Sequence, residues 1–306
     1  MATLGVNNGF AMKRWPEPKE WSRVLADELR VENVQLSLDI VNLSQPWQHI
    51  RSMCREIRTQ AAEKGLQIGS VFTGLADYSR NMLLDPNPAV RHWSFEYYRT
   101  ALDVCEVLEV PVFGGHLGAF SVATFNSEKR AVLEHILFDC IEELASYGRQ
   151  AGLQELLWEA MPLDREPPHT IAEAKAYLAR ANETSSLPTY LCLDVGHACA
   201  SGNTGDQADP YHWLGELAEI TTMVHLQQTD GKGDRHWPFT PEMNELGIIE
   251  PERVMSVLGK TRSSRVRELV IEVFPPFEAT AEQVIQDMKV SVEYWRNHVL
   301  DSVDSR

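Results

Sequence analysis

The sequence predicts an α/β fold, an eight-stranded (β/α)8 TIM barrel, and three observations predict it. Apolar runs of strand length alternate with helix-length segments along the whole chain, as a parallel sheet requires. The alternation repeats eight times, the number that closes a barrel. The first β-to-α junction, Asn7-Asn8-Gly9-Phe10, is neither G-x-G-x-x-G nor a P-loop, the glycine-rich turns that an open doubly wound sheet usually carries there. No residue-level repeat and no Pro/Gly/Ser-rich linker divides the chain. Residues 1–306 therefore read as one domain.

Each unit follows from its residues. A strand around Thr3 to Val6 precedes a helix that begins near Pro16-Glu17-Pro18, where proline and acids suit the free N–H groups and the dipole of a first turn. Strand two, Val34 to Leu38, ends at Asp39, and a helix from about Pro46 to Lys64 stops at Gly65. Strand three is Leu66 to Phe72, followed by a long helix, Pro88 to Leu108, with Trp93, Tyr97, Leu102 and Val107 at roughly helical spacing. Strand four is Val110 to Phe113, with a helix from Ser127 to Ala151. Strand five is Gln154 to Glu159, with a helix from Thr170 to Ala181. Strand six, Thr189 to Asp194, leads to a shorter helix, Tyr211 to Glu219, and strand seven is Thr221 to Leu226. A helix from Pro251 to Leu258, strand eight from Glu268 to Val273 and a last helix from Ala281 to Val299 complete the set.

Composition bounds the function. An apolar fraction of 43% with 24% charged residues is that of a soluble globular protein. No apolar run of membrane-spanning length and no charged-then-apolar leader is present, so the expected compartment is the cytoplasm, with no membrane partner. The five cysteines form no C-x-x-C pair and are odd in number, which argues against a disulfide framework or a Cys-based zinc site. A formal net charge of -16, without a dense basic run, disfavours nucleic acid as a partner. Assembly into a homo-oligomer is left open.

Four strand tips carry chemistry. Leu156-Leu157-Trp158 ends in Glu159, Leu191-Cys192-Leu193 in Asp194, Thr222-Met223-Val224 in His225 and Leu269-Val270-Ile271 in Glu272. Any one of these reads most simply as a helix cap, a surface group or a satisfied structural histidine. Their recurrence at the same place on four successive units is what points to a site, because the C-terminal ends of barrel strands converge on one mouth. Three carboxylates and one imidazole there suit one divalent metal ion such as Mn²⁺, Mg²⁺, Co²⁺ or Zn²⁺, without the thiolates that would single out zinc.

The set Trp158-Glu159, Leu193-Asp194-Val195-Gly196-His197, Val224-His225-Leu226 and Ile271-Glu272 resembles the xylose isomerase-like barrel superfamily. The D-x-x-H step and the Asp234-Arg235-His236 tripeptide are the most specific parts of that likeness. The superfamily holds sugar isomerases, ketose 3-epimerases, inosose dehydratase and endonuclease IV. The resemblance implies that Glu159, Asp194, His225 and Glu272 ligate the metal and that His197 binds substrate. It further implies that Glu159 and Glu272 work on opposite faces of a sugar carbon. The chemistry is coherent on its own terms, since a metal held by a carbonyl and the neighbouring hydroxyl acidifies the C–H between them and stabilises an enediolate, with two carboxylates as base and acid. His116 and His236 are further candidates for substrate binding, and with Asp234 they could be counterparts of the extra ligands of the endonuclease type. Strand three ends Val71-Phe72-Thr73-Gly74 without a histidine, so that three-metal cluster is incomplete.

The rim is read more simply. The loop from Gln227 to Ile249 is long for a β-to-α connection and carries Lys232, Arg235, His236, Trp237 and Phe239. Lys232 or Arg235 could hold a phosphate or carboxylate of the substrate, and the aromatics could exclude water. The stretch Met161 to Pro168, with Arg165 and Glu166, reads either as a second rim or as a turn before the next helix. Asn7 and Asp39 are candidates for hydroxyl contacts, and Lys13, Arg14 and Trp15 read as surface. The leading expectation is a metal-dependent isomerase or epimerase of a small sugar or sugar derivative. The alternative is a metal-dependent lyase, a decarboxylase or dehydratase of a keto-sugar acid or keto-inositol.

Overall fold

The computed structural model describes residues 2–199, 203–261 and 263–304. Eight parallel strands close into a barrel in sequence order. They are β1 (Thr3–Asn7), β2 (Asn33–Ser37), β3 (Gln67–Phe72), β4 (Val112–Gly115), β5 (Glu155–Ala160), β6 (Thr189–Asp194), β7 (Thr221–Leu226) and β8 (Glu268–Ile271). The ring shuts where β1 pairs with β8, Val6 opposite Ile271.

The principal helices outside the barrel are α1 (Pro18–Arg23, continued by a wider turn over Val24–Leu29), α2 (Trp47–Glu63), α3 (Pro88–Leu108), α4 (Lys129–Gln150), α5 (Ile171–Ala181), α6 (Pro210–Leu217), α7 (Pro251–Lys260) and α8 (Ala281–Asp304). Local chemistry sets their starts. Pro88 opens α3 while the Asn87 side chain accepts from the Ala89 N–H, and Asp209 does the same for α6 from the Tyr211 N–H. Thr170 caps α5 by accepting from Glu173 N. No described helix is long and apolar enough to cross a membrane. All five cysteines are free, and four of them are buried.

Strand periodicity places the chemistry. On β5 to β8, Leu156, Trp158, Leu191, Leu193, Val224, Leu226, Leu269 and Ile271 join the large core between barrel and helices. Leu157, Cys192, Met223 and Val270 point the other way and, with Phe72, form a separate apolar cluster inside the barrel. Two residues further along each of those strands come Glu159, Asp194, His225 and Glu272. A period of two sends them to the same interior, one layer nearer the mouth. The apolar layer is the floor of the site, and the Phe72 ring meets the His225 imidazole edge-on at 4.7 Å.

Two boundaries differ from the sequence reading in ways that matter. The fourth strand runs to Gly115 rather than stopping at Phe113, which carries His116 up to the mouth. Residues Leu38–Val41 form a helical turn instead of the end of β2. Asp39 accepts hydrogen bonds from the Leu75 and Ala76 N–H groups at 2.8 and 3.0 Å, so it caps the turn after β3 and is taken up structurally.

Candidate metal and active site

One nitrogen organises the centre. His225 Nδ1 lies 3.1 Å from Glu159 Oε1 and 3.0 Å from Glu272 Oε2. A ligand atom from each of Glu159, Asp194, His225 and Glu272 lies within 4.8 Å of the other three, and all four residues are buried. Asp194 Oδ1 accepts from Gly196 N at 2.6 Å, His197 N at 3.2 Å and Gln227 Nε2 at 2.8 Å. Its other oxygen, Oδ2, is buried without a partner. A carboxylate oxygen in that position is costly unless something cationic meets it. The residues fit a divalent cation: three carboxylates and an imidazole converge, and one acceptor is bare.

Their electrostatics follow from burial and from one another. Burial raises the Glu159 carboxyl, and the His225 imidazole only partly opposes it. Burial pushes Glu272 in the same direction, but His225, His236 and His197 outweigh it and hold this carboxyl below its ordinary value. Burial disfavours charge on His225, yet Cys192, Glu272 and Glu159 raise it well above an ordinary imidazole.

Further histidines and the Asp234 carboxylate lie around this centre. The His197 ring bonds the Ala160 carbonyl oxygen through Nδ1 at 2.7 Å, so that nitrogen is the donor and Nε2 faces Asp234 Oδ2 at 3.7 Å. Burial opposes its charging, but Asp194, Asp234 and Glu159 raise it to about 9. His236 lies 3.3 Å from Asp234 through Nε2 and packs its ring on Phe274. His236, too, is raised against burial, to about 10, chiefly by Asp234. Burial works against the Asp234 carboxylate, but His236 and His197 hold it well below its usual range. His116 behaves oppositely: burial lowers it to about 4, and its Nε2 has no partner.

A cavity of about 90 Å³ opens over these groups, lined by Glu159, His197, Asp234, His236 and Glu272 on one side and by Thr73, Tyr78 and His116 on the other. Of the residues the sequence singled out, Glu159, Asp194, His225 and Glu272 are together, and His197, His116 and His236 reach the cavity. The structure does not bring Lys232 and Arg235 there. Both are exposed; Arg235 is held by Asp230, with Nε to Oδ1 at 3.1 Å, and lies over the Trp237 ring. Phe239 is fully buried against Trp295 and Tyr294 and acts as core. Lys13 sits over Phe277, and the Arg14 guanidinium bonds the Pro276 and Ala279 carbonyls, so both fasten the loop after β8.

Sequence reasoning missed Gln227. Its side chain joins Asp194 to Asp234, donating at 2.8 and 2.6 Å, and its Oε1 accepts from the backbone N–H groups of Arg235 and His236. A Cβ on Gly196 would fall 2.3 Å from the Gln227 amide carbon, so this contact requires glycine there. The available signal was the polar pair Gln227-Gln228 directly after an apolar strand. Glu166, in the stretch the sequence offered as a second rim or a turn, is buried on the β5 loop with Oε2 unpartnered and is raised by burial to about 7.

Residues 25–291 match the family described as the xylose isomerase-like TIM barrel. The chain belongs to that family. Within this xylose isomerase-like family it is 27% identical over 301 residues to the D-erythrulose 1-phosphate 3-epimerase of Brucella abortus (strain 2308), covering 97% of this chain and 96% of that one. A crystal structure of a provisionally named xylose isomerase from Rhodospirillum rubrum ATCC 11170 superposes with a TM-score of 0.90 at 32% identity, over 97% of this chain and 99% of that one. The D-psicose 3-epimerase of Clostridium cellulolyticum H10, solved with D-tagatose, shares the fold at a TM-score of 0.69 and 13% identity, over 97% and 99%.

Proposed function

We propose that this protein is a divalent-metal-dependent epimerase or isomerase of a short keto-sugar or its phosphate ester, with Glu159, Asp194, His225 and Glu272 holding the ion. The observation that carries the reading is the buried quartet, with Asp194 Oδ2 left bare in its midst. A bound divalent ion supplies the Lewis acidity that makes a C–H beside a carbonyl removable. The chain supplies the rest. Glu159 and Glu272 are the two carboxylates that serve as base and acid. They arrive from strands separated by β6 and β7, which suits removal of a proton from one side of a carbon and return from the other. His197, His236 and His116 line the cavity and are the groups that meet substrate oxygens, His116 through an Nε2 that has no protein partner. The erythrulose phosphate named for the Brucella relative motivates the size class.

The test is incubation with Mn²⁺ and a panel of D-erythrulose 1-phosphate, D-tagatose and D-psicose in deuterated water. Deuterium should enter recovered sugar at the carbon beside the carbonyl. Glu159→Gln and Glu272→Gln should each lower the rate by about 10²-fold or more. Full turnover in both variants, or release of CO2 or a dehydrated product without deuterium incorporation, would refute the assignment.

A further inference from the structure

A polar thread runs through the interior of the barrel beside its apolar layer and ends on one carboxylate of the site. Its members are Asn7 on β1, Gln35 on β2 and Ser70 on β3, with exposures of 2%, 0% and 0%. The Gly9 N–H donates to Asn7 Oδ1 at 2.7 Å, which fixes which way the Asn7 amide points. Asn7 Nδ2 then donates twice, to Glu272 Oε1 at 2.9 Å and to Gln35 Oε1 at 2.7 Å. The bond from Asn7 orients Gln35 in turn, and its Nε2 donates to Ser70 Oγ at 3.3 Å and to the Met223 sulfur at 2.9 Å. Both amide side chains in the series have a defined donor and acceptor end, and the series starts from a backbone N–H that cannot flip.

Glu272 is the only member of the quartet held in this way from the β1 side among the described hydrogen bonds. With Oε1 tied to Asn7, its Oε2 is left 3.0 Å from His225 Nδ1, toward Glu159 and Asp194. Without that anchor the carboxylate could rotate about its last torsion and present either oxygen, at the loss of a fixed ligand direction.

We infer that Asn7 and Gln35 are positioning residues that fix the orientation of Glu272 toward a divalent ion, Asn7 directly and Gln35 through Asn7. The inference rests on the reading that the quartet binds such an ion. Partners of this kind behind a ligating carboxylate typically account for about 10–100-fold in metal affinity.

The experiment measures Mn²⁺ affinity by titration calorimetry and by the thermal shift on adding Mn²⁺. The proteins are the full chain, Asn7→Ala, Gln35→Met and the double variant, each checked for an unchanged far-UV spectrum. Asn7→Ala should weaken Mn²⁺ binding about 10–100-fold. Gln35→Met, which keeps the length and packing of the side chain, should give a smaller fall in the same direction. The double variant should be no worse than Asn7→Ala, because Gln35 acts through a residue already removed. A purely structural role would lower thermal stability without Mn²⁺ and leave the affinity unchanged. Wild-type affinity in Asn7→Ala, or additive losses in the double variant, would overturn the inference. If Asn7→Ala does not fold, undiminished affinity in Gln35→Met would overturn it and a reduced affinity would support it. Absence of any Mn²⁺ binding by the unaltered chain would overturn the metal assignment and this inference with it.

Discussion

Replacing Gln227 by methionine removes the amide and keeps the length of the side chain. Four hydrogen bonds go: two donated to Asp194 and Asp234, and two accepted from the Arg235 and His236 N–H groups. The carboxylates keep other donors, since Asp194 retains the Gly196 and His197 N–H groups and Asp234 retains His236. The two backbone N–H groups have no such reserve. Leaving a buried donor unsatisfied costs about 1–3 kcal/mol, and because these two bonds are only part-buried the low end applies, roughly 2 kcal/mol together. An unfolding entropy of about 2 cal/mol/K per residue over 306 residues gives roughly 0.6 kcal/mol per kelvin, so the melting temperature should fall by about 3 °C. Scanning calorimetry on metal-free protein measures this directly. A fall of less than about 1 °C would show that the amide does not hold the Asp234-Arg235-His236 turn in place, and the reasoning would fail.

Three further outcomes follow from the same structure. Burial raises the Glu268 carboxyl, near the end of the barrel remote from the mouth, to about 7, against the pull of His225 and Arg267. The folded state therefore keeps a proton that the unfolded chain releases near pH 4.5, and stability falls as pH rises from there to about 7, by up to roughly 3 kcal/mol. Glu268→Gln should accordingly melt several degrees above the unaltered protein at pH 8 and level with it near pH 4.5; equal melting at both would contradict the assignment. Gly115 has φ of 141° and a Cβ there would lie 1.9 Å from Thr73 Oγ1. Gly115→Ala should cost about 3 kcal/mol or more, read as a loss of melting temperature or of soluble yield. Chelator treatment of protein purified without chelator should lower the melting temperature, and Mn²⁺ should restore it; a melting curve indifferent to both would count against the quartet as a metal site.

The barrel was legible because its signal is repetitive. Eight alternations of strand and helix tolerate an error of two residues at any boundary, as at β4, without changing the answer. The quartet was legible for a related reason, since each member interrupts an apolar strand at its tip, where a charge has no packing role. The amide residues were harder to see. Asn7, Gln35 and Gln227 are uncharged, carry no motif, and owe their positions to partners 28, 265 and 33 residues away. Asp39 misled for the opposite reason: a strand-end aspartate looks like a site until the turn at Leu75, which it caps, is placed beside it. Lys232 and Arg235 show that loop position does not give loop direction, because a local partner, Asp230, takes up the guanidinium.

The closure of β1 on β8 has a consequence for the order in which the molecule is made. Glu272 lies 265 residues beyond the Asn7 that anchors it, and its strand is the last to join the ring. During synthesis, Glu159, Asp194 and His225 leave the ribosome before their fourth partner exists, with two carboxylates and an imidazole facing an open seam. A nascent chain halted after β7 would thus present three of the four clustered side chains with an unpaired sheet edge on each side, and the cluster and the barrel would be completed in one event.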